Sequence, residues 1–345
     1  MKAVLFKLNS LGDNVVFVPA VQALRSRCPD LHITLLTTPN ESELYGGPLA
    51  PQETIICPKP VFNKSYCRPW VLARWMWRIR RIRPDACIVA FDQSNAAHLV
   101  AKFSGARIRI GGNLVRIRVA GSLTEEIPIP GDLRPVTWNW RMAGALARSL
   151  GFGEGWPEEP PAPDLRHLLP RGPIPPGARR RVVVHPGAGG YLNQWPLERF
   201  AAVAAALSRD FEVVWIAHGH TAGPAPGGTV GAVVDSISEL AQWLASADLF
   251  LGNNSGPMHL ANALGRSGVA VTGPTTTGWD PYWERDRWTV LRHPNLACAP
   301  CEKTAVALEG CVNTASPMAC LEYWSVEKVE EACRARLGLP PAGVP

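Results

Sequence analysis

Two short segments of the chain carry the residue types that bind phosphate groups. The first, residues 252–259, reads Gly-Asn-Asn-Ser-Gly-Pro-Met-His and lies between an apolar strand-like run and a helix-like pattern. A strand that turns straight into a helix points backbone N–H groups and the positive end of the helix dipole at one place, which suits an anion. The second, Gly187-Ala188-Gly189-Gly190, follows another apolar run, and its glycines let backbone N–H groups approach a phosphate. For this second segment alone, an ordinary connecting loop is the alternative interpretation. Two such loops together predict a binding site for a diphosphate.

Asp13 is the candidate for acid–base chemistry. It lies in a turn-forming segment, residues 9–14, directly after the apolar run 3–8. A carboxylate at the end of such a strand can serve as a general base. The alternative is that Asp13 caps the following helix, and these residues alone favour that alternative.

Four of the nine cysteines lie close together near the end of the chain, at Cys298, Cys301, Cys311 and Cys320. A C-x-x-C followed by two further cysteines is typical of a structural zinc or iron site. No second C-x-x-C follows, and reduced thiols packed in an irregular loop are the alternative interpretation.

An arginine-rich segment without acidic residues runs from residue 68 to 83 and includes Arg74, Arg78 and Arg81. Apolar residues recur in it at helical spacing, which predicts a basic amphipathic helix. Such helices lie on anionic membrane surfaces or bind acidic ligands, and a surface helix with solvated arginines is the alternative. The net charge of +6 favours an anionic partner. No recognised nucleic-acid-binding motif is present, so we expect no nucleic acid.

The elements that must position these residues form two alternating strand and helix series. Strand-like runs occur at 3–8, 32–38, 53–57, 86–91, 107–110, 181–185, 211–217, 247–251 and 269–272. Helix-like patterns separate most of them, and this alternation is typical of parallel, doubly wound sheets. The sequence therefore predicts the α/β class, with two Rossmann-like domains that face each other across a cleft.

Proline density marks the boundary between the two series. Eight prolines lie between residues 157 and 176, which predicts a stiff linker. We expect an N-terminal domain at 1–156, the linker at 157–176, a C-terminal domain at 177–325 with a Cys-rich loop at 298–320, and a C-terminal helix and tail at 326–345. Neither a signal peptide nor a spanning helix is supported, so the expected location is the cytoplasm.

Several common catalytic motifs are missing from the sequence. There is no Asp-x-Asp pair to hold a divalent metal against a nucleotide diphosphate, no G-x-x-x-x-G-K-[ST] and no G-x-S-x-G. Charge on a bound diphosphate would then be stabilised by dipoles and side chains, with no cofactor required for catalysis.

Five motifs in order resemble the ADP-heptose:lipopolysaccharide heptosyltransferase family, glycosyltransferase family 9. They are Ser10-Leu11-Gly12-Asp13, His185-Pro186-Gly187-Ala188, the run 194–200, the run 253–259, and Gly273-Pro274-Thr275 with Trp279 and Pro281. The resemblance extends from residue 1 to about residue 329. The late cysteine cluster is also similar to one found in many members.

This resemblance implies a GT-B architecture and a metal-independent, inverting transfer of heptose from ADP-heptose. It implies a lipopolysaccharide-core, anionic glycan or lipid-linked acceptor, bound mainly by the first domain, and a possible peripheral contact with the inner membrane. Asp13 matches the general base. Ser10, Gly12, Arg74, Arg78 and Arg81 are expected on the acceptor side. The donor-binding positions are expected at Gly187, Ala188, Gly189, Asn193, Gln194, Asn254, Ser255, Gly256, Pro257, Met258 and His259.

The sequence departs from the family pattern at two of these positions. Family members commonly have lysine where this chain has Asn193, and aspartate where it has Asn254. The amide at 254 removes one negative charge beside the diphosphate. The missing lysine could be compensated by an arginine such as Arg199 or Arg266.

Three other functions compete with heptose transfer. The replacements at Asn193 and Asn254 motivate a non-catalytic nucleotide-sugar-binding or assembly protein. They also motivate a family 9 transferase with a different donor or a non-lipid acceptor. An NAD-dependent oxidoreductase is least favoured, because the loop at 9–14 lacks G-x-G-x-x-G.

Overall fold

A computed structural model gives the structure of the chain. It describes residues 1–58, 69–90, 94–112, 119–128, 134–170, 179–217, 224–301 and 310–340. The chain divides into two compact units, Met1–His167 and Leu168–Pro345.

The first unit contains a parallel six-stranded sheet. Its strands are β1 (Lys2–Phe6), β2 (His32–Thr37), β3 (Glu53–Ile56), β4 (Ala86–Val89), β5 (Ile108–Gly111) and β6 (Glu125–Glu126). They lie in the order β3-β2-β1-β4-β5-β6. The strand order therefore reverses between β1 and β4, where loops at the carboxyl ends of neighbouring strands diverge and ligands bind in this type of fold.

Helices connect these strands and cover the sheet. They are α1 (Leu11–Val15), α2 (Val18–Arg27), α3 (Pro69–Ile82), α4 (Asn95–Phe103) and α5 (Pro135–Ser149), and a 3-10 helix spans Asn40–Tyr45. Val4 and Phe6 of β1 pack with Cys87 and Val89 of β4, and Trp75 and Ile79 of α3 lie in the same core cluster. Burial of both faces explains why β1 and β4 read as continuous apolar runs.

The second unit repeats the same strand order. Its strands are β7 (Arg181–His185), β8 (Glu212–Ala217), β9 (Val230–Val233), β10 (Leu249–Asn253), β11 (Gly268–Thr272) and β12 (Trp288–Arg292). The order β12-β11-β10-β7-β8-β9 places the reversal between β7 and β10. The loops that follow these two strands, at 186–190 and 254–256, are the two phosphate-type segments.

The helices of the second unit are α6 (Leu197–Leu207), α7 (Ile237–Ala245), α8 (Gly256–Ala263), α9 (Ala319–Glu322) and α10 (Val326–Arg336). The last of them contributes Val329 and Cys333 to the core formed with β7, β10 and β11. The predicted C-terminal helix thus packs on the second sheet.

Part of the predicted proline-rich linker folds against the first unit. The Gln22 side chain donates to the Asp164 carbonyl at 2.7 Å and accepts from the Asp164 N–H at 2.9 Å. Trp140 donates its indole N–H to the Pro157 carbonyl at 2.7 Å. Residues 157–164 are therefore held by hydrogen bonds to α2 and α5, whereas 171–176 lie outside the described residues.

The structure agrees with the predicted α/β class, and the strand-like runs lie within a few residues of observed strands. The segment between β1 and β2 forms two helices, α1 and α2, so that Asp13 lies within a helix. Strands β6, β9 and β12 and helix α5 were not predicted. In the described part of the chain, no helix combines the length and hydropathy needed to span a bilayer.

His98 gives the first unit a testable pH dependence. Its side chain is buried on α4 and lies 3.0 Å from the Ser122 hydroxyl, and burial lowers its pKa from 6.5 to about 4. Between these values the unfolded chain binds a proton that the folded chain does not. The imidazole therefore lowers the free energy of unfolding as the pH falls from 6.5 to 4, by as much as about 3 kcal/mol.

We expect His98→Asn to flatten the dependence of stability on pH between 6.5 and 4, measured by urea unfolding at each pH. His32→Asn, at an exposed position at the start of β2, should leave the wild-type dependence unchanged. Parallel stability curves for the wild type and His98→Asn would contradict the assignment.

Candidate functional site

Asp13 lies in the first turn of α1, directly beyond the carboxyl end of β1. Ser10 occupies the N-cap position, so the helix is not capped by Asp13 as the alternative interpretation proposed. The Asp13 side chain is 20% exposed, and its Oδ1 lies 3.8 Å from the Nζ of Lys7, which is completely buried. The carboxylate is therefore accessible on one side and faces a buried cation on the other.

Lys7 forms an ion pair with Asp13. Burial lowers the pKa of Lys7 to about 8, and the neighbouring Asp13 raises it in part. At neutral pH the ammonium form still predominates. A buried charge is stable only with an opposite charge nearby, so Lys7 and Asp13 stabilise each other's ionised forms.

Asn14 holds the loop that carries Asp13, and sequence analysis did not single it out as a site residue. Its Nδ2 donates to the carbonyls of Asn9 at 3.0 Å and Ser10 at 3.1 Å. Its Oδ1 accepts from the hydroxyls of Tyr45 at 2.8 Å and Thr37 at 3.3 Å. Asn14 is completely buried, and four hydrogen bonds to three elements fix its position, which in turn orients its neighbour Asp13.

The expected acceptor-side residues separate into two groups. Ser10 and Gly12 lie in the same loop and helix turn as Asp13. Arg78 and Arg81 lie near the end of α3, where the carbonyl of Ile82 accepts from Lys2 at the start of β1. Strand β1 is about 17 Å long at 3.3 Å per residue, so the structure does not bring these two arginines to Asp13. Arg74 lies midway along the same helix and is exposed.

The glycine loop after β7 has an open side. A Cβ at Gly189 or Gly190 would meet no atom within 4 Å, whereas one at Gly187 would lie 3.2 Å from the ring of His185. The Gln194 side chain donates to the Ala188 carbonyl at 2.9 Å and ties the loop to the start of the next helical segment. The backbone of residues 188–190 is thus fixed by the Gln194 side chain on one side and accessible to solvent on the other.

Helix α8 begins at the other phosphate-type segment. Ser255 is its N-cap residue, but no side chain caps the helix, and proline occupies the first turn. The Met258 side chain is completely buried, and His259 is buried with its ring 5.7 Å from that of Trp279. Burial lowers the pKa of His259 to about 4, so it is neutral at pH 7. The side chains of these two predicted donor-site residues are therefore buried in the core, and the His259 backbone N–H donates to the Ser255 carbonyl at 3.3 Å.

Asn253 joins the two phosphate-type loops and was not among the predicted site residues. It ends β10 and is completely buried. Its Nδ2 donates to the Pro186 carbonyl at 2.6 Å, and its Oδ1 accepts from the Trp195 N–H at 2.9 Å. One amide thus fixes the spacing between the glycine loop, the start of α6 and the start of α8. The sequence placed Asn253 in the motif 253–259 but gave no sign of the contacts that its side chain makes.

Asn254 belongs to a second polar cluster at the same edge. Its Nδ2 donates to Oδ1 of Asp280 at 3.2 Å, and Arg292 donates to the same oxygen at 2.8 Å. Arg292 also donates to the Thr275 carbonyl. The amide of Asn254 donates a hydrogen bond to the carboxylate of Asp280, whereas an aspartate at position 254 would place a second carboxylate against it. This pairing gives a physical reason for the departure from the family pattern at position 254.

Buried polar atoms without hydrogen-bond partners gather near these loops in the described part of the chain. They include Oδ1 of Asn193 and the hydroxyls of Thr272 and Thr275. A Cβ at Gly273 would lie 3.1 Å from the Leu192 carbonyl, so the Thr272–Thr275 turn packs beside the Asn193 segment. Buried polar atoms are normally satisfied, so these three are exceptions to that rule.

Neither arginine that was expected to compensate for the missing lysine contributes to this cluster. Arg199 forms an ion pair with Glu322 and donates to the Trp324 carbonyl. Arg266 donates to the carbonyls of Leu264 and Ala245 at the ends of two helices. Arg292, which was not predicted, is the arginine that approaches Asn254.

The four late cysteines all lie within the described ranges. There, no group of three or more His, Cys, Asp or Glu side chains could hold a metal ion. The Cys311 sulfur accepts from the Met318 N–H at 3.3 Å, and burial raises the pKa of Cys320 with smaller contributions from Cys301 and Cys311. Cys301, Cys311 and Cys320 are thus near neighbours, and the zinc or iron site expected at the cluster stays a prediction.

Comparison with known proteins connects this site to one family. The model of the family described as glycosyltransferase family 9 (heptosyltransferase) matches residues 77–311. A lipooligosaccharide heptosyltransferase 2 from Campylobacter jejuni subsp. jejuni serotype O:6 is 29% identical over 143 residues. The match covers 36% of this chain and 44% of the relative, so the chain spans less than half the length of that curated protein.

Solved structures share the fold over almost the whole chain. The ADP-heptose lps heptosyltransferase II of E. coli is 18% identical, with a TM-score of 0.71 and coverage of 98% of both chains. E. coli heptosyltransferase WaaC, solved with ADP-2-deoxy-2-fluoro heptose, is 18% identical, with a TM-score of 0.66 and coverage of 85% of this chain and 94% of its own. The iron-containing heptosyltransferase TibC of E. coli H10407 is 15% identical, with a TM-score of 0.56 and coverage of 98% of this chain and 76% of its own.

These findings agree with the five sequence motifs and with the strand order of both units. The described fold is of the GT-B class, with two doubly wound α/β units. The family match extends from α3 into the late cysteine region and includes both phosphate-type loops. Because it covers more than half of the sequence, the chain belongs to glycosyltransferase family 9.

Proposed function

We propose that the protein is an inverting, metal-independent glycosyltransferase that moves heptose from ADP-heptose to a lipopolysaccharide-core or other glycan acceptor. The observation that carries the proposal is the pair of loops at the β7/β10 switch point, joined through Asn253 and open to an anion. The relatives in family 9 support the sugar and the nucleotide, since two of the similar structures are named for ADP-heptose or hold an analogue of it.

The donor diphosphate would bind at the carboxyl edge of the second sheet. Backbone N–H groups of 187–189 and of the first turn of α8 supply the positive ends of peptide dipoles. Asn193 and Gln194 add neutral hydrogen bonds, and Asn254 and Ser255 lie beside the helix start. As the sugar departs, these fixed dipoles stabilise the charge that develops on the leaving diphosphate, which is the role a metal has in other transferases.

Asp13 would act as the general base. It takes the proton of an acceptor hydroxyl while the hydroxyl oxygen forms its bond to the anomeric carbon, and the bond from that carbon to the diphosphate breaks with the electron pair on the diphosphate. One displacement inverts the anomeric centre, and no covalent intermediate is needed. Lys7 holds Asp13 ionised before the reaction, and Asn14 keeps the loop in place.

The chemistry also suggests where the reaction occurs. Nucleotide-activated sugars are made and used inside the cell, so we place the reaction in the cytoplasm. An acceptor that carries anionic or lipid-linked sugars is consistent with the net charge of +6. The competing function, a nucleotide-sugar-binding protein without transfer, is motivated by the amide at Asn193, which contributes no charge toward a phosphate.

A panel of nucleotide sugars tests the donor assignment directly. With ADP-heptose, GDP-, UDP- and dTDP-sugars each offered with a lipopolysaccharide-core acceptor, we expect nucleotide release from ADP-heptose alone, at an unchanged rate in excess EDTA. Release of another nucleotide would replace the donor assignment, and loss of activity in EDTA would contradict metal independence. Tight ADP-heptose binding with no acceptor-dependent release would favour the binding-protein alternative.

The role of Asp13 is tested by Asp13→Asn, which preserves the size of the side chain and removes its basicity. We expect kcat to fall at least about 100-fold, because positioned general bases contribute roughly 10²–10⁴ in rate. Donor affinity, measured by calorimetry with ADP, should stay within about threefold, because Asp13 is not assigned to the donor site. Full transfer by this variant would show that Asp13 is not the base.

The Asn254–Asp280 pair predicts an exchange experiment. Asn254→Asp alone places two carboxylates at hydrogen-bond distance, and we expect donor affinity to fall roughly tenfold through like-charge repulsion near the diphosphate. In the double variant Asn254→Asp with Asp280→Asn, the amide and the carboxylate are exchanged, and affinity should recover to within about threefold of wild type. Additive losses in the double variant would mean that the two side chains do not act as a pair.

A further inference from the structure

A cavity of about 590 Å³ lies in the first unit, at the carboxyl end of α3. Its walls come from three segments, which are the last turns of α3, the turn that leads into β4, and the loop between α4 and β5. Four arginines are among the side chains that line it, namely Arg80, Arg81, Arg83 and Arg107. We call this cavity the arginine pocket.

The protein does not balance the positive charge of the arginine pocket. Asp85 supplies an acidic side chain to the lining, but its carboxylate accepts from the backbone N–H of Lys2 at 2.8 Å. Among the described residues, none of the four guanidinium groups lies within ion-pair distance of a carboxylate. Like charges in one cavity repel each other, and a bound anion would remove that repulsion.

Contacts with neutral groups orient two of the guanidinium groups. Nη1 of Arg80 donates to the Phe103 carbonyl, at the end of α4, at 3.4 Å. The Arg81 guanidinium lies 4.6 Å from the centroid of the Trp77 ring, in a cation–π contact. Neither contact supplies a full negative charge, and a guanidinium has five N–H donors, so each group keeps donors for an anion.

Arg83 has a backbone conformation that L-residues rarely adopt. It follows the last residue of α3 with a φ of 55°, and its N–H donates to the Arg80 carbonyl at 3.0 Å. Glycine is the usual residue at such a helix end, because a Cβ is disfavoured in the left-handed region. Residues held in this region are concentrated at binding and catalytic sites. The guanidinium that Arg83 contributes to the pocket is the feature that a glycine would lack.

The arginine pocket is separate from the candidate reaction centre. Asp85 and Arg107 directly precede β4 and β5, so the pocket lies at the amino edge of the first sheet. Asp13 lies beyond the carboxyl end of β1, which runs parallel to β4. The pocket therefore does not hold the hydroxyl that Asp13 would deprotonate.

We propose that the arginine pocket binds a soluble oligophosphate with three or more linked phosphate groups. A guanidinium binds phosphate oxygens through parallel N–H donors, and four of them on different walls match several phosphates better than one. The volume is that of a small-molecule site. A ligand with one or two phosphates leaves some of these donors unpaired, so phosphate and ADP should bind more weakly. This inference requires neither the donor site nor sugar transfer.

The Trp77 ring distinguishes two sources of this chemistry. The ring lines the pocket and is 60% exposed. An inorganic oligophosphate would bind through its phosphates alone, whereas the base of a nucleoside triphosphate would also stack on the ring.

The test is calorimetric titration of the full chain with tripolyphosphate, in saturating ADP so that the donor site is occupied. We expect binding that weakens as salt increases. The variant Arg83→Gln/Arg107→Gln should lower the affinity roughly 100-fold, because each charge-assisted hydrogen bond contributes about tenfold. Tripolyphosphate should slow hydrogen exchange in the segments 83–85 and 104–107 and leave 187–190 unchanged.

The variant Arg83→Gly separates binding from stability. Glycine adopts a φ of 55° without a steric penalty, so Tm should not fall, while the affinity for tripolyphosphate falls roughly tenfold. As a matched control, Arg141→Gln/Arg148→Gln removes two exposed arginines of α5 and should bind tripolyphosphate as tightly as the wild type.

The same titration with ATP identifies the source of the phosphates. Equal affinities for ATP and tripolyphosphate would assign the pocket to phosphates alone. Tighter binding of ATP that is lost in Trp77→Leu would assign it to a nucleoside triphosphate. Absence of binding by either ligand, unchanged affinity in Arg83→Gln/Arg107→Gln, or an equal loss in the control variant would each overturn the proposal.

Discussion

Parallel strands that diverge at a switch point leave backbone groups at their carboxyl ends that no neighbouring strand can pair, and buried asparagines satisfy them here. Asn14 bonds the carbonyls of the loop after β1, and Asn253 bonds a carbonyl after β7 and an N–H before α6. An unpaired buried backbone group costs free energy comparable to a lost hydrogen bond. The asparagines therefore make it possible for these loops to turn sharply inside the protein and to keep one defined shape. Asp13 and the two phosphate-type loops depend on that shape.

Charge near the candidate site is arranged in matched pairs. Lys7 faces Asp13 in the first unit, and Arg292 faces Asp280 in the second, with the amide of Asn254 on the same carboxylate oxygen. Each carboxylate thereby has a cationic side chain within ion-pair distance, at 3.8 Å for Asp13 and 2.8 Å for Asp280. The positive ends of backbone dipoles at α8 and the glycine loop are then left for an anionic ligand. Such an arrangement suits a diphosphate whose charge increases during the reaction.

The sequence was sufficient to predict the strands and helices that show a regular hydrophobic pattern. Buried strands such as β7 and β10 read as continuous apolar runs, and the glycine turns after them identified the edge where ligands bind. Helix α5 was missed because eleven of its fifteen residues are buried, which leaves only a narrow polar side with Thr137, Arg141 and Arg148. Strand β6, with two glutamates, has no apolar signal at all.

The roles of single side chains were harder to predict. Met258 and His259 follow a phosphate-type loop, yet the first turn of α8 directs both into the core, where burial keeps the imidazole neutral. Asn14 and Asn253 resemble ordinary loop polar residues until the contacts across 31 and 58 positions of sequence are seen. The arginines of α3 were expected beside the acceptor, but the direction of the helix takes Arg81 to the other edge of the sheet. In each case the deciding contact is distant in sequence.

Hydrogen exchange of the backbone amides with and without ADP tests the central claim, that the two loops joined by Asn253 bind the donor diphosphate. The account predicts slower exchange on ADP binding at residues 187–190 and at Ser255, Gly256 and Met258, with no change along α3. Slower exchange confined to other loops of the second unit, with these two segments unaffected, would contradict it.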